Sequence, residues 1–325
     1  MQSHRYELNR RDLVRLILPV MGVWAIAAGC LHAAAWLKWL PAEPTTLYAD
    51  ETVLRHQARA RKTPHPAEIV IVGDSTCHAA VDAAALSAQL PGRTPVINLA
   101  LVIGIDVTMY ARIAADFAVT NPGQVRWVVL LVTPSRLAQR GDTFLWDQFF
   151  DDSHPEAKPA PAIAEISGGK LFRERLASQV LPQPLRGKGA AMFGFTPELD
   201  RFMTLHDGSV MDFGEMSAQT FPVPAEFPVG PDFAEACRDF RAHLPPGVKL
   251  AVGMTPSPAR ASGPQTQRAY RECLERLDDL LRPDALLTNL PVTLPTPGFS
   301  PSAHMNAAGQ QQFTAALARE LARLP

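Results

Sequence analysis

The sequence has few cysteines and lacks the residue spacings that hold a metal ion. Only four cysteines occur among 325 residues, and no two of them form a C-x-x-C pair. There is no H-E-x-x-H segment, which argues against a zinc site of the metalloprotease type. Glycine-rich phosphate loops are also missing, because Gly73 and Gly104 each stand alone. We therefore expect neither a metal ion nor an organic cofactor.

The chain also has almost no excess charge and no internal repeat. It carries 31 basic and 32 acidic residues, for a net charge of −1, so it shows no global bias toward nucleic acid. Its 30 prolines and 20 glycines follow no regular period, which argues against a solenoid or a collagen-like array. With 47% hydrophobic residues, the chain can bury one large core.

A long uncharged stretch lies near the amino terminus, at residues 16–37. As a helix it would be about 33 Å long, which matches the roughly 30 Å of a bilayer core. Four arginines lie within residues 1–15, whereas only Lys38 follows the stretch closely. The positive-inside rule then predicts a cytoplasmic amino terminus and a periplasmic main domain. We expect a single-pass anchor in a bacterial inner membrane.

Two other interpretations of this stretch stay open. Ala33, Ala34 and Ala35 resemble the small-residue site of a cleaved signal peptide, but the apolar stretch is longer than the usual signal core. A buried helix of the soluble domain is the other alternative, and the uneven distribution of arginines argues against it. The membrane anchor is therefore favoured.

The rest of the chain is predicted to be a linker followed by one α/β domain. Residues 38–66 are rich in Pro, Ala, Arg and Thr, which is typical of a linker or stalk. Residues 67–325 alternate between strand and helix patterns, except at 139–230, which we interpret as an insertion that shapes substrate access or a partner surface. Strands are predicted at 68–72, 95–99, 125–132, 248–254 and 285–288. Helices are predicted at 76–89, 105–119, 231–243, 264–281 and 306–323. This βαβ alternation predicts a parallel sheet covered by helices.

Two polar residues far apart in the chain are candidates for chemistry. The first strand run ends in Gly73-Asp74-Ser75, and His304 precedes the last predicted helix. Open α/β sheets bind ligands at the carboxyl ends of their strands, so Ser75 is a candidate nucleophile and His304 a candidate base. Alternatively, Ser75 only caps the next helix, and His304 is a polar residue bonded to nearby backbone. Asp74 is expected to hold the turn through neighbouring amides.

The residues around Ser75 distinguish between hydrolase families. The segment Gly73-Asp74-Ser75-Thr76-Cys77 lacks the G-x-S-x-G pattern of the α/β-hydrolase elbow, which disfavours that fold. A G-D-S turn after the first strand, with a late histidine before the terminal helix, resembles the SGNH (GDSL) hydrolase superfamily over residues 67–325. The resemblance implies a three-layer α/β/α fold with a flavodoxin-like parallel sheet, and a Ser-His site.

The same resemblance assigns the other site positions. Gly104 is similar to the glycine that supplies a second oxyanion amide, beside the amide of Ser75. Where the family has an asparagine after the third strand, this chain offers Thr133 or Ser135 as a substitute. The family's aspartate three positions before the histidine is replaced by Pro301.

Three explanations stay open for the missing aspartate. A carboxylate from the insertion, Asp207 or Asp212, takes its place; a Ser75–His304 dyad works with a backbone carbonyl that orients the imidazole; or the site is degenerate. In a triad the carboxylate fixes the imidazole tautomer, so the choice decides whether the site is active.

The segment from Ser302 to Gly309 resembles the H-L-N-x-x-G block of membrane-associated SGNH proteins that modify exopolysaccharides. These include alginate O-acetylation proteins and the teichoic-acid D-alanine transfer protein. The resemblance implies an acyltransferase or esterase in O-acetylation or deacetylation of an exopolysaccharide or cell-wall polymer, with an acylated small-molecule donor and a multi-pass membrane acyltransferase as partner. The alternative is a degenerate scaffold that binds polysaccharide or assembles a secretion complex.

The remaining reactive residues are predicted to be structural. His78 shares a helix with Ser75, so it is poorly placed to act as the base from the substrate side. Cys237 and Cys273 fall on two predicted helices; a disulfide between them is permissible outside the cytoplasm, and two buried small residues are the alternative. Residues 206–209 are predicted to form a turn.

Overall fold

The computed structural model describes most of the α/β domain and part of the amino-terminal segment. The described residues are 14–15, 17–23, 25–26, 29–30, 49–101, 106–138, 141, 150, 197–211, 216, 226–300 and 303–324. The chain divides into two compact units, Met1–Ala49 with Ser153–Pro197, and Asp50–Asp152 with Glu198–Pro325. The second unit contains the sheet.

The first unit contributes helical residues between 14 and 30, whose large apolar side chains are exposed. These exposed side chains are Val14, Ile17, Leu18, Val20, Met21, Val23 and Ile26. Much of the span expected at 16–37 lies outside the described residues, namely 16, 24, 27, 28 and 31–37. Within the part of the chain that is described, no helix has both the length and the apolar character needed to cross a membrane.

Five parallel strands form the central sheet of the second unit, in the order β2-β1-β3-β4-β6. They are β1 (Ile69–Gly73), β2 (Val96–Asn98), β3 (Trp127–Val132), β4 (Lys249–Met254) and β6 (Ala285–Leu286). β1 and β3 are buried along their whole length, as expected of apolar runs that a parallel sheet covers on both faces. The chain adds strands on opposite sides of β1, so the carboxyl ends of β1 and β3 border the crevice where such sheets bind ligands.

Helices cover both faces of this sheet. They are α1 (Ala49–Ala60), α2 (Ser75–Ala80), α3 (Ala83–Gln89), α4 (Val107–Thr120), α5 (Pro197–Leu205), α6 (Pro231–His243), α7 (Thr266–Leu281) and α8 (Ala307–Leu321). Side chains alternate along β1, so Val70 and Val72 join the core with α1, α4, α6 and α7, whereas Ile69 and Ile71 join the core with α2, α3 and α8. The predicted α/β fold, a parallel sheet flanked by helices, is confirmed.

The predicted helix at 76–89 is divided into α2 and α3. Asp82 begins the second helix, because its carboxylate accepts a hydrogen bond from the amide of Ala85 at 3.0 Å. Beyond β4, the short strands β5 (Ser257–Pro258) and β7 (Thr293–Leu294) pair in parallel as a separate sheet. Neither of these two short strands is among the elements that the sequence pattern predicts.

Two stretches expected to lie outside the regular fold contribute to its core. The expected linker at 38–66 contains α1, and Val53 and Leu54 of this helix are buried in the core. The expected insertion at 139–230 contains α5, whose Met203 is buried in the same core. The α/β unit therefore begins before residue 67 and includes part of the insertion.

Candidate active site

The turn that follows β1 lies close against β3. A Cβ atom on Gly73 would lie 2.2 Å from the carbonyl oxygen of Leu131, so a side chain does not fit there. The Oδ1 atom of Asp74 accepts hydrogen bonds from the amides of Thr76 and Cys77, at 2.9 and 3.3 Å, and thereby caps α2. The expected role of Asp74 in holding the turn is confirmed. The residue between the cap and these amides is the candidate nucleophile, and it is partly exposed.

His304 is presented by a tight loop just before α8. Phe299 and Met305 form an antiparallel bridge, and the amide of Ser300 donates to the carbonyl oxygen of His304 at 2.8 Å. Ala303 has a φ angle of +65°, in the left-handed region that residues with a Cβ atom seldom adopt. The loop therefore holds the imidazole on a constrained backbone.

Asn306 fixes this loop to the start of α8. Its side-chain oxygen accepts hydrogen bonds from the amides of Ala308 and Gly309, at 3.1 and 3.3 Å. Its side-chain nitrogen donates to the carbonyl oxygen of Pro297 at 2.8 Å. A single side chain thus caps the helix and binds the segment that enters the loop.

The structure brings Ser75 and His304 together across 229 positions of sequence. The Oγ atom of Ser75 lies 3.1 Å from Nε2 of His304, within hydrogen-bonding distance. If the imidazole is neutral with its hydrogen on Nδ1, then Nε2 accepts the hydrogen of the serine hydroxyl. This is the arrangement of a nucleophile and its general base.

The carboxyl group of Asp74 is buried beside this pair. Burial raises its pKa above the ordinary value, while the hydrogen bond from the Thr133 hydroxyl, those from the two amides, and the charge of Arg136 act in the opposite direction. The net effect is a raised pKa. The carboxyl group therefore resists ionisation more than an exposed aspartate does.

Thr133 lies at the carboxyl end of β3, where we expect an oxyanion donor, but its hydroxyl is already engaged. Its Oγ1 atom donates to Oδ1 of Asp74 at 2.9 Å and lies 3.2 Å from Oγ1 of Thr255. A hydroxyl has one hydrogen, so Thr133 in this arrangement cannot also donate to a substrate oxygen. Thr255 is not among the site residues that the sequence predicts; it directly follows the apolar run of β4, at the same end of the sheet as Thr133.

Asp207 lies in the turn that follows α5, and its carboxylate faces a different histidine. Its Oδ1 atom lies 3.3 Å from Nε2 of His65, and its carbonyl oxygen accepts a hydrogen bond from the amide of Asn98 at 2.8 Å. The predicted turn at 206–209 is present, and it contacts the edge strand β2 at Asn98.

Three other positions of the expected site lie outside the described residues: Gly104, Asp212 and Pro301. Ser135 lies in the short 3₁₀ turn Pro134–Arg136, which follows Thr133. The structure therefore places Ser75, His304 and Thr133 at one end of the sheet.

The remaining reactive side chains have structural surroundings. His78 is buried in α2, its Nε2 lies 2.6 Å from the carbonyl oxygen of Gly208, and burial lowers its pKa to about 4. Its ring is thus neutral near pH 7 and binds backbone. Cys237 and Cys273 are free, buried thiols, and burial raises the pKa of each to about 12. A disulfide between them is not formed in this structure.

A cavity of about 380 Å³ lies at the opposite, amino-terminal edge of the sheet, and its lining includes Asn121, Arg126, Trp127 and Lys249. In the described part of the chain, no cluster of His, Cys, Asp and Glu side chains is arranged to hold a metal ion.

Comparison of the chain with models of known families, with curated proteins and with solved structures finds no match.

Proposed function

We propose that this protein is a serine-dependent acyltransferase or esterase, with Ser75 as the nucleophile and His304 as the general base. The observation that supports the proposal most is the 3.1 Å distance between the Ser75 hydroxyl and Nε2 of His304. The pair lies at the carboxyl end of β1, beside the crevice where open parallel sheets bind ligands. A serine that only capped α2 would not need an imidazole at its hydroxyl, and the cap is already supplied by Asp74.

In the proposed reaction, the Ser75 oxygen attacks the acyl carbonyl of a donor ester while its proton moves to Nε2 of His304. The imidazolium returns that proton to the leaving oxygen as the carbon–oxygen bond of the donor breaks. A sugar hydroxyl or water then attacks the acyl-serine while His304 takes its proton, and the imidazolium returns that proton to the Ser75 oxygen as the acyl–serine bond breaks and the product leaves. By resemblance, the amides of Ser75 and Gly104 bind the oxyanion.

The imidazole also needs a group that holds its tautomer. Asp207 is paired with His65, which favours the other two sources: Asp212 from the insertion, or a backbone carbonyl acting on a Ser75–His304 dyad. The Asp212→Asn variant separates these two. A large loss of acylation rate supports the triad, whereas a wild-type rate supports the dyad.

We extend the proposal to SGNH-like membership and to O-acetylation or deacetylation of an exopolysaccharide or cell-wall polymer. The support is the G-D-S turn, the H-x-N-x-x-G segment and the parallel sheet order, which is that of flavodoxin-like folds. The exposed apolar helical residues between 14 and 30 support an inner-membrane anchor with a periplasmic α/β domain. A multi-pass membrane acyltransferase that delivers the acyl group is the proposed partner.

Two observations favour a second candidate, a degenerate scaffold that binds polysaccharide or assembles a secretion complex. Pro301 replaces the family's aspartate, and the Thr133 hydroxyl donates its hydrogen to Asp74. A scaffold of this kind forms no acyl-enzyme. The chemical test below therefore separates the two candidates.

The test is acetylation of the full chain, in detergent, by an activated acetyl ester, followed by intact-protein mass. The proposal predicts addition of one acetyl group to the wild type and none to Ser75→Ala, with a strongly reduced rate for His304→Ala. Ser87→Ala is the matched control, because Ser87 lies on α3 with its hydroxyl bonded to the carbonyl oxygen of Arg93. Equal acetylation of wild type and Ser75→Ala, or none of either, would support the scaffold instead.

A further inference from the structure

A hydrogen-bonded series of three side chains, Thr255, Thr133 and Asp74, connects the ends of the neighbouring strands β4, β3 and β1. Thr255 follows β4 and is fully buried, and its amide donates to the carbonyl oxygen of Val132 at 3.0 Å, which fixes it beside the end of β3. Its Oγ1 lies 3.2 Å from Oγ1 of Thr133, which in turn lies 2.9 Å from Oδ1 of Asp74 after β1. This hydrogen-bonded series ends at the turn that carries Ser75.

The acceptor role of Asp74 decides which group donates in each hydrogen bond of this series. Oδ1 of Asp74 accepts from the amides of Thr76 and Cys77, so it acts as an acceptor whether or not the other carboxyl oxygen carries a proton. The hydroxyl of Thr133 therefore donates to Oδ1. Its only hydrogen is then used, and its oxygen can only accept from Thr255. Thr255 is therefore the first donor of the hydrogen-bonded series.

We infer that Thr255 is a positioning residue for Ser75, acting through Thr133 and Asp74; the inference rests on the proposed function. Successive hydrogen bonds in a low-dielectric interior polarise one another, so the Thr255 hydroxyl strengthens the bond from Thr133 to Asp74. Asp74 holds the two amides that follow Ser75 and thereby sets where the serine hydroxyl points. A misplacement of about 1 Å in a reacting group can lower the rate about a hundredfold.

Thr255 acts on Ser75 through the side chains of Thr133 and Asp74, and it lies at the end of a different strand. Its positioning role can therefore be tested separately from the acylation step. Thr255→Val keeps the shape of the side chain and removes its hydroxyl, whereas Thr255→Ser keeps the hydroxyl. Thr266→Val is the matched control. Thr266 is also buried, and its hydroxyl oxygen accepts a hydrogen bond from the amide of Gly263 at 2.8 Å. It lies at the start of α7 and is not part of the hydrogen-bonded series.

The experiment measures acetylation of Ser75 in the full chain against concentration of the activated acetyl ester. Thr255→Val should lower the limiting first-order rate about tenfold, the equivalent of one hydrogen bond, with an unchanged half-saturating concentration. Thr255→Ser should restore the rate, and Thr266→Val should match the wild type. A wild-type rate in Thr255→Val, or an equally slow Thr255→Ser, would overturn the inference. If Thr255→Val does not fold, Thr255→Ala takes its place.

A second measurement does not depend on reactivity. Titration of the Asp74 carboxyl group by NMR should show a higher pKa in Thr255→Val than in the wild type, because the weakened Thr133 donor stabilises the carboxylate less. An unchanged pKa overturns the inference. A wild type that is never acetylated overturns the proposed function, and the titration still decides whether Thr255 acts on the turn.

Discussion

The side-chain amide of Gln310, on the last helix, donates a hydrogen bond to the carbonyl oxygen of Ala79 in α2 at 3.0 Å. Its second hydrogen goes to the carbonyl oxygen of Val210 at 2.6 Å. Because α2 begins with Ser75 and α8 follows His304, this buried amide joins the two elements that carry the candidate nucleophile and base. It also attaches to them the segment that follows α5.

Replacing Gln310 with leucine removes both hydrogen bonds at nearly the same volume. We expect the free energy of unfolding to fall by about 2 kcal/mol, at about 1 kcal/mol for each bond and with two buried carbonyl groups left without this donor. Urea denaturation of the domain measures the loss. The exposed neighbour provides the control, since Gln311→Leu should change stability by less than about 0.5 kcal/mol. Similar losses in both variants would mean that Gln310 acts through helix propensity rather than through these bonds.

The loop before His304 has a backbone conformation that suits glycine. The φ angle of Ala303 is +65°, and the left-handed conformation costs a residue with a Cβ atom about 1 kcal/mol or more. Ala303→Gly should therefore raise the free energy of unfolding by about 1 kcal/mol, measured by urea denaturation. Ala315→Gly, in the middle of α8, should lower it by about 1 kcal/mol. A loss of stability in Ala303→Gly would show that the loop does not hold this conformation in solution.

His78 predicts a loss of stability in acid. Its pKa is about 4 in the folded protein, against the ordinary histidine value of 6.5 in the unfolded chain, so between these values the unfolded chain binds a proton that the folded chain does not. Stability therefore rises with pH across this window, and the contribution of His78 is lost as the pH falls from about 6.5 to about 4. At about 1.4 kcal/mol per pKa unit, the loss near pH 4 is about 3 kcal/mol.

The measurement is urea denaturation at about pH 7.5 and about pH 4.5 for the wild type and His78→Gln, on either side of most of this window. Glutamine keeps a donor for the carbonyl oxygen of Gly208 but does not titrate, so the variant should lose less stability in acid than the wild type does. His243→Gln is the control for the substitution itself, because His243 is exposed at the end of α6. Equal pH dependence in wild type and His78→Gln would contradict the prediction.

The parts of this molecule that could be predicted are those that are encoded locally. The apolar run of β1 and the turn Gly73-Asp74-Ser75 are contiguous, and α6 has the bounds that its pattern predicts. The contact between Thr133 and Thr255 is not encoded locally, because it depends on β3 and β4 being neighbours in register. The helix α1 lies in a stretch whose Pro, Ala, Arg and Thr content predicts a linker, because its buried residues, such as Leu54, are recognisable only once the sheet is known.

Asp74 yields a last prediction, since its shape and its charge have opposite effects on stability. The carboxyl oxygen that caps α2 is favourable, whereas burial of the ionised form is not, and the folded pKa is raised as a result. For an acid with a raised pKa, destabilisation begins as the pH rises through the unfolded value near 3.8 and is complete above the folded value. Asp74→Asn keeps the acceptor without the charge, so near neutral pH it should be at least as stable as the wild type. Asp74→Ala loses the cap and should cost about 1 kcal/mol or more in urea denaturation. If Asp74→Asn is as destabilised as Asp74→Ala, the ionised carboxylate itself holds the turn and its burial does not dominate.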